Sequence, residues 1–394
     1  MSSEPQRPVV VYHHRTQGVD AQGIHVHEMC RAFETLGYTV AKVALHAREQ
    51  VGRDSRPGLV SRLVARLPPA AYELLELGYN LVGVPRLYRA VRRHRPAFVY
   101  ERYSLYNLSG IVVSKLTGVP LVLEVNSPLA REKALHGGLA FRRLAQAMET
   151  YIVNHATRTI AVTGVLRGML VERGAEAARI AVMHNGVNPG DFDDPAKPAG
   201  QAAFPVRLGF VGWFRPWHGL LEMVAALHEH GLFREGVALL LVGDGPIRPD
   251  LERMIRRCRL EDRVTITGPT DRRVLPGLLE GVDIAIQPAA TAYASPMKLF
   301  EYLAAGKAVV APDQDNIREV VRHGKDALLF APGDWDDFAG QVRSLVRDPA
   351  LRQRLGQAAR RSMVENRRTW TDNAARVVAL LGKPFPSRGR PPRP

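Results

Sequence analysis

In the stretch 293-YASPMKLFEYLAAGKAVVAP-312, Lys298 and Glu301 stand three residues apart, directly after Ser295 and Pro296. Side chains at that spacing share one helix face. A Ser-Pro start leaves the first helical amides without intrahelical partners, and such amides attract anions. An ammonium beside open amides makes a phosphate site, and a carboxylate one turn inward can accept from vicinal hydroxyls. A nucleoside diphosphate offers both groups at that separation. The plainer alternative is an i,i+3 Lys–Glu pair on an ordinary helix.

Other turns carry residues of the same kind. The segment 210-FVGWFRPWHGLLEM-223 places Gly212, Arg215, Trp217, His218 and Gly219 ahead of a helix, a mixture suited to a diphosphate and a stacked ring. Trp217 as simple packing is the alternative. In 240-LLVGDGPIRPDL-251, Gly243 and Gly245 form half of a GxGxxG pattern, but Arg248 stands where the third glycine belongs. A dinucleotide reading is therefore weak. Near the start, 13-HHRTQGVDAQGIHVHEM-29 holds Gly18 and Gly23 before a helix expected from about Ile24, with His25 and His27 beside them. Glycines there let the backbone approach a ligand closely, although a histidine on a helix face more often packs than reacts. Glu124 ends a strand before Asn126-Ser127-Pro128, and Arg102 ends the neighbouring one. That arginine either holds an anion or pairs with an acidic neighbour.

Positioning these turns requires alternating strands and helices. Short valine-rich runs are expected as strands at 8–12, 38–45, 97–102, 120–125, 158–163 and 179–183, and again at 206–212, 237–243, 264–268, 283–288, 308–312 and 327–330. Alternation with helical patterns predicts an α/β protein with two Rossmann-like, doubly wound domains. Ligands of such sheets bind outside the carboxyl ends of the strands, so two domains facing across a cleft are expected. The division predicted is an N-terminal domain over 1–190, a linker over 191–205 rich in Pro, Gly, Ala and Asp, and a C-terminal domain over 206–369. A helix over 370–383 crosses back to the first domain, and 384–394 is a disordered tail.

With 394 residues and a 46% hydrophobic share, the chain can fill two cores. No run of about 18 uncharged apolar residues marks a membrane span. MSSEPQRPVVVY enters a strand without the apolar core of a signal peptide, so cytoplasm is the expected compartment. Cys30 and Cys258 lie far apart in helical patterns and read as thiols; no metal cluster can be built from them. The net charge of +15 calls for an anionic partner. Residues 53–95 carry nine Lys/Arg against three Asp/Glu. There Leu59, Val60, Leu63, Val64 and Leu67 form one helical stripe opposite Arg62 and Arg66, the pattern of a basic helix lying on an anionic membrane. An insertion helix with a solvated basic face fits equally.

Taken in order, the His25-containing turn, Asn185-Gly186-Val187, Gly243-Asp244-Gly245-Pro246 and 298-KLFEYLAAGKAVVAP-312 resemble glycosyltransferase family four, which has the GT-B fold. The resemblance spans nearly the whole chain. It implies retaining transfer of a sugar from a nucleotide diphosphate sugar to a glycan or lipid-linked acceptor, as in cell-surface polysaccharide synthesis. It also implies no metal or other cofactor and no nucleic-acid partner. The donor would bind the C-terminal domain and the acceptor the N-terminal one. Glu301 matches the glutamate that holds the donor ribose, and Ser295, Pro296, Met297, Lys298 and Leu299 match the loop that meets the diphosphate, with Gly212 and Gly243 completing the donor set. Lys298, Arg215, His218 and Asn126 take the catalytic places, while Gly23, His25, Arg102 and Asn185 fall on the acceptor or cleft side. This sequence departs from the pattern where His218 replaces a lysine, Trp213 an arginine, Tyr293 the first glutamate of the motif, and Asn126 a histidine. Two alternatives stay open: a GT-B epimerase or hydrolase of nucleotide sugars, which would need no acceptor, and a non-catalytic partner subunit, to which the departures at Trp213, Tyr293 and Asn126 point. The 53–95 segment adds the expectation of a peripheral position on the inner membrane face.

Overall fold

A computed structural model describes residues 7–15, 21–44, 67–135, 138–193 and 206–382. The chain divides into two compact units, one comprising residues up to His184 together with those from Trp370 onward, the other running from Asn185 to Thr369. Of the linker segment and the tail, 194–205 and 383–394 lie outside the described residues, as do 59–66 of the basic stripe.

In the first unit, six strands form a sheet: β1 Val9–His14, β2 Thr39–Ala44, β3 Phe98–Arg102, β4 Leu121–Val125, β5 Arg158–Ala161 and β6 Ile180–Val182. Their order is β2-β1-β3-β4-β5-β6, with every pairing parallel. Helices cover both faces, so the strands are nearly continuous apolar runs; Val10, Val11, Tyr12, Leu121, Val122 and Leu123 have no exposed surface. The helix Ala21–Thr35 starts earlier than about Ile24, which puts Gly23 inside its first turn instead of in a loop. The helix Trp370–Leu380 packs on Ala21–Thr35, and Trp370 meets the His25 ring edge-on at 4.9 Å.

A second six-stranded parallel sheet builds the other unit: β7 Val206–Val211, β8 Val237–Val242, β9 Val264–Gly268, β10 Ile284–Ile286, β11 Ala308–Pro312 and β12 Leu328–Phe330. The order is β12-β11-β10-β7-β8-β9, so the direction of winding reverses between β7 and β10. Alternation along β7 and β8 sends Leu208, Phe210, Leu239 and Leu241 into one core, and Leu240 and Val242 into the core on the opposite face. Asp348 caps the helix Pro349–Glu365 by accepting from the Leu351 amide, with proline at the first helical position. All twelve strands fall on the valine-rich runs named above. The architecture is thus α/β with two Rossmann-like domains.

Candidate functional site

In the second unit, the loops after β7 and β10 flank the winding reversal, the place where open parallel sheets bind ligands. Chain direction after β10 brings Ser295 and Pro296 to the start of the helix Met297–Ala304. Pro296 is its N-cap and offers no side-chain cap. The Leu299 amide turns back to the Pro296 carbonyl at 3.1 Å, leaving the Met297 and Lys298 amides as the open donors of the first turn. Leu299 itself is core.

The Lys298 ammonium is the most unusual group here. Its Nζ is buried with no hydrogen-bond partner among the described residues, and lies 3.9 Å from the Phe210 ring centre. Burial lowers its pKa to about 7, opposed by the negative charge of Glu301. Gly212 leaves the space for it. A Cβ there would sit 2.9 Å from Nζ, and the backbone φ of +140° is one that side chains disfavour. Gly243 supports Gly212, since a Cβ at Gly243 would lie 2.0 Å from the Gly212 carbonyl oxygen. Gly243 is therefore a backbone-packing glycine beside the site.

His218 faces the same Phe210 ring, with ring centres 5.5 Å apart. Burial, with the positive charges of Lys298 and Arg215, lowers its pKa to about 3, against a hydrogen bond to the Trp213 backbone. His218 is consequently a neutral imidazole at pH 7. Arg215 is exposed and lies over the Trp217 ring, 5.3 Å from its centre. Trp213 and Trp217 are themselves half exposed, and the covered side of Trp217 meets the His218 ring edge-on at 6.2 Å.

Ser295 is buried and occupied: its Oγ accepts from the Asn185 amide at 3.0 Å, and its carbonyl accepts from Asn185 Nδ2 at 2.6 Å. Asn185, expected on the acceptor or cleft side, is the first residue of the second unit and anchors the loop that starts the site helix. One turn into that helix, Glu301 receives Arg272 Nη1 on Oε1 at 2.6 Å. Next along, the Tyr302 hydroxyl accepts from the Val211 amide at 2.8 Å, tying the end of β7 to the site helix. No sequence motif marked Arg272 or Tyr302 as a site residue. The turn after β9 was as legible a strand-to-helix turn as the others, and 271-DRR-273 stood in it.

The first unit gathers a second cluster around Glu124, a buried carboxylate at the end of β4. Its Oε1 lies 3.2 Å from His25 Nε2 and accepts from Arg102 Nη1 at 3.1 Å and Asn126 Nδ2 at 2.6 Å, while Oε2 accepts from the Tyr100 hydroxyl. Those charges and donors outweigh burial and hold the Glu124 pKa below the usual carboxylate value. Burial takes His25 down to about 4, so it is neutral at pH 7. With Nδ2 on a carboxylate, Asn126 turns its carbonyl oxygen away from Glu124. His25, Arg102 and Asn126 thus share one partner, while Gly23 lies in the helical turn before His25. Nearby, His13 Nδ1 and Glu101 Oε2 form a wholly buried contact of 2.5 Å that the sequence reading did not single out. Among the described residues, no group of three or more His, Cys, Asp or Glu has the arrangement to hold a metal ion, and no helix is long and apolar enough to cross a membrane.

Residues 205–348 match the family model described as Glycosyl transferases group 1, and residues 22–191 match Glycosyltransferase Family 4. The chain is 26% identical over 262 residues to the alpha-D-kanosaminyltransferase of Streptomyces kanamyceticus, covering 63% of this chain and 67% of that protein. It is 27% identical over 358 residues to the 2-deoxystreptamine glucosyltransferase of the same organism, covering 83% and 90%. Among solved structures, Anabaena Alr3699/HepE in complex with UDP superposes with a TM-score of 0.69 at 16% identity, over 94% of this chain and 99% of that one.

Proposed function

Since the chain belongs to the family four, group 1 glycosyltransferases and is an enzyme of the GT-B fold, we propose that it moves a sugar, with retention at the anomeric carbon, from a nucleotide diphosphate sugar to a glycan or lipid-linked acceptor of a cell-surface polysaccharide. The observation that carries this reading is the Lys298 ammonium, buried without a hydrogen-bond partner on the first turn of a helix that has no side-chain cap. Burying an unpaired polar group is costly, and an anion arriving at that point removes the cost. The relatives point to the same ligand class, for the Anabaena neighbour was crystallised with UDP.

In the proposed reaction the bond between the anomeric carbon and the β-phosphate oxygen breaks, an acceptor hydroxyl oxygen bonds to that carbon, and its proton passes to the departing phosphate. Negative charge therefore grows on the diphosphate. Preorganised cations and amides at the growing charge supply the largest stabilisation available to an enzyme. Lys298 and the Met297 and Lys298 amides would serve the departing phosphate, with Arg215 approaching from the exposed side. His218, held neutral, offers a hydrogen bond without a competing charge. Glu301 would accept from the ribose hydroxyls. The chemistry balances without a metal or other cofactor.

The acceptor is assigned to the first unit, where the Asn126 carbonyl oxygen is presented by Glu124. A lipid-linked acceptor fits the surface of the adjoining helices Pro69–Gly78 and Asn80–His94. Leu74, Leu75, Leu81 and Val82 are all more than half exposed there, and Arg89, Arg92 and Arg93 follow on the exposed side of the second helix. Apolar side chains ahead of arginines suit the boundary of an anionic bilayer. The test of the enzymatic reading is a thermal-shift screen across nucleotide sugars, followed by product analysis with candidate acceptors. Stabilisation by at least one nucleotide sugar and a glycosylated product are expected. Donor consumption without such a product would transfer the case to a hydrolase or epimerase.

A further inference from the structure

Glu301 is nearly as buried as the core around it, with 6% of its side chain exposed, and the donor to its carboxylate comes from far along the chain. The turn after β9 places Arg272 and Arg273 in opposite environments. Asp271 caps that turn by accepting from the Arg273 amide at 2.9 Å and also pairs with the Arg273 guanidinium, which is 89% exposed. Arg272 is left to point inward at Glu301. In the sheet β9 lies three strands from β10, with β7 and β8 between them. The Arg272–Glu301 pair therefore joins the turn after β9 to the helix that follows β10, and the neighbouring Tyr302 of that helix is bonded to the end of β7. A mononucleotide entering at the winding reversal lies at the carboxyl ends of the strands.

We propose that Arg272 is a positioning residue for the nucleoside half of the donor, holding the Glu301 carboxylate in one orientation so that it meets the ribose 2′ and 3′ hydroxyls ready-formed. This rests on the donor reading of the second unit and deepens it. One guanidinium N–H on Oε1 leaves lone pairs on both oxygens, enough for two hydroxyl donors. It also fixes a side chain that would otherwise lose rotamer freedom on binding. The consequence is selectivity for a ribonucleotide over its 2′-deoxy counterpart, in binding more than in the chemical step.

The test is calorimetric titration of the full chain with UDP, GDP and ADP and their 2′-deoxy forms, for wild type, Arg272→Met, Arg272→Lys and Glu301→Ala. Wild type should prefer at least one ribonucleotide by about tenfold or more, the size of one charge-assisted hydrogen bond. Glu301→Ala should abolish that preference. Arg272→Met should weaken the ribonucleotide by about tenfold and leave the deoxynucleotide nearly unchanged, with Arg272→Lys in between; under turnover the donor KM rises while kcat holds. Arg272→Met retaining the wild-type preference, while Glu301→Ala loses it, overturns this inference and leaves the donor reading standing. Equal losses for both sugars in Arg272→Met overturn it as well. No ribose preference in wild type, with Glu301→Ala indistinguishable from it, removes the donor reading and this inference together.

Discussion

The Lys298 ammonium rests 3.9 Å above the ring centre of Phe210, two residues before the glycine that makes room for it. An aromatic face attracts a cation, yet it leaves the three N–H donors without hydrogen-bond acceptors. In the proposed reaction that unpartnered group meets the donor diphosphate.

Replacing Lys298 by alanine should therefore lower turnover by about two to three orders of magnitude, the effect of losing one donor to a developing oxyanion. Steady-state kinetics with saturating donor checks this. Turnover within tenfold of wild type would remove Lys298 from that role.

Storage of the charge also affects stability. The folded-state pKa of about 7 lies below the unfolded value of about 10.4. Between those two values the unfolded chain binds more protons, so this group's destabilising effect is fully present below pH 7 and fades as pH rises toward 10. Lys298→Met should melt higher than wild type at pH 7 by several degrees, with the gap narrowing by pH 10. A constant gap across that range would place the effect elsewhere.

Donor binding should take up a proton for the same reason. Nucleotide sugars have no phosphate that titrates near neutrality, so calorimetry at pH 8 in buffers of different ionisation enthalpy reports on the protein. Uptake approaching one proton per donor is expected in wild type and none in Lys298→Met. Affinity should fall as pH rises above 7. Equal proton uptake in the variant would point to another group.

In the first unit, Glu124→Leu would leave the Arg102 guanidinium, the Tyr100 hydroxyl and the Asn126 amide without their shared acceptor. Removing one partner of a buried ion pair costs about 3–5 kcal/mol, so chemical denaturation should show a loss near 3 kcal/mol, with Glu124→Gln losing less. Equal stability of Glu124→Leu and wild type would contradict the hub.

The strand pattern was legible because parallel strands covered on both faces must be apolar throughout, as 237-VALLLV-242 is. Lys298 and Glu301 were legible because a helix puts residues three apart on one face. What stayed hidden joins distant segments. The Arg272–Glu301 pair crosses 29 positions, and the partners of Glu124 come from an early helix, a neighbouring strand and the turn after β4. Pairing of Arg102 with an acidic neighbour was legible from the two adjacent strand ends, whereas His25, Tyr100 and Asn126 as further partners of that carboxylate were not. Nor does the motif Asn185-Gly186-Val187 reveal that its asparagine bonds Ser295, 110 positions away.

Association with membranes is measurable by sedimentation with vesicles of neutral lipid, with and without phosphatidylglycerol. Wild type should pellet with the anionic vesicles, Arg92→Glu/Arg93→Glu much less, and Leu81→Ser/Val82→Ser less at every lipid composition. Equal pelleting of all three would sink the surface.

A crystal structure of the complex with the nucleoside diphosphate that binds best tests the central claim most directly. A phosphate oxygen is expected within hydrogen-bond distance of Lys298 Nζ and of the Met297 and Lys298 amides, with the ribose hydroxyls on Glu301. A diphosphate seated away from the start of the helix Met297–Ala304, with the Lys298 ammonium still unpartnered over Phe210, would contradict it.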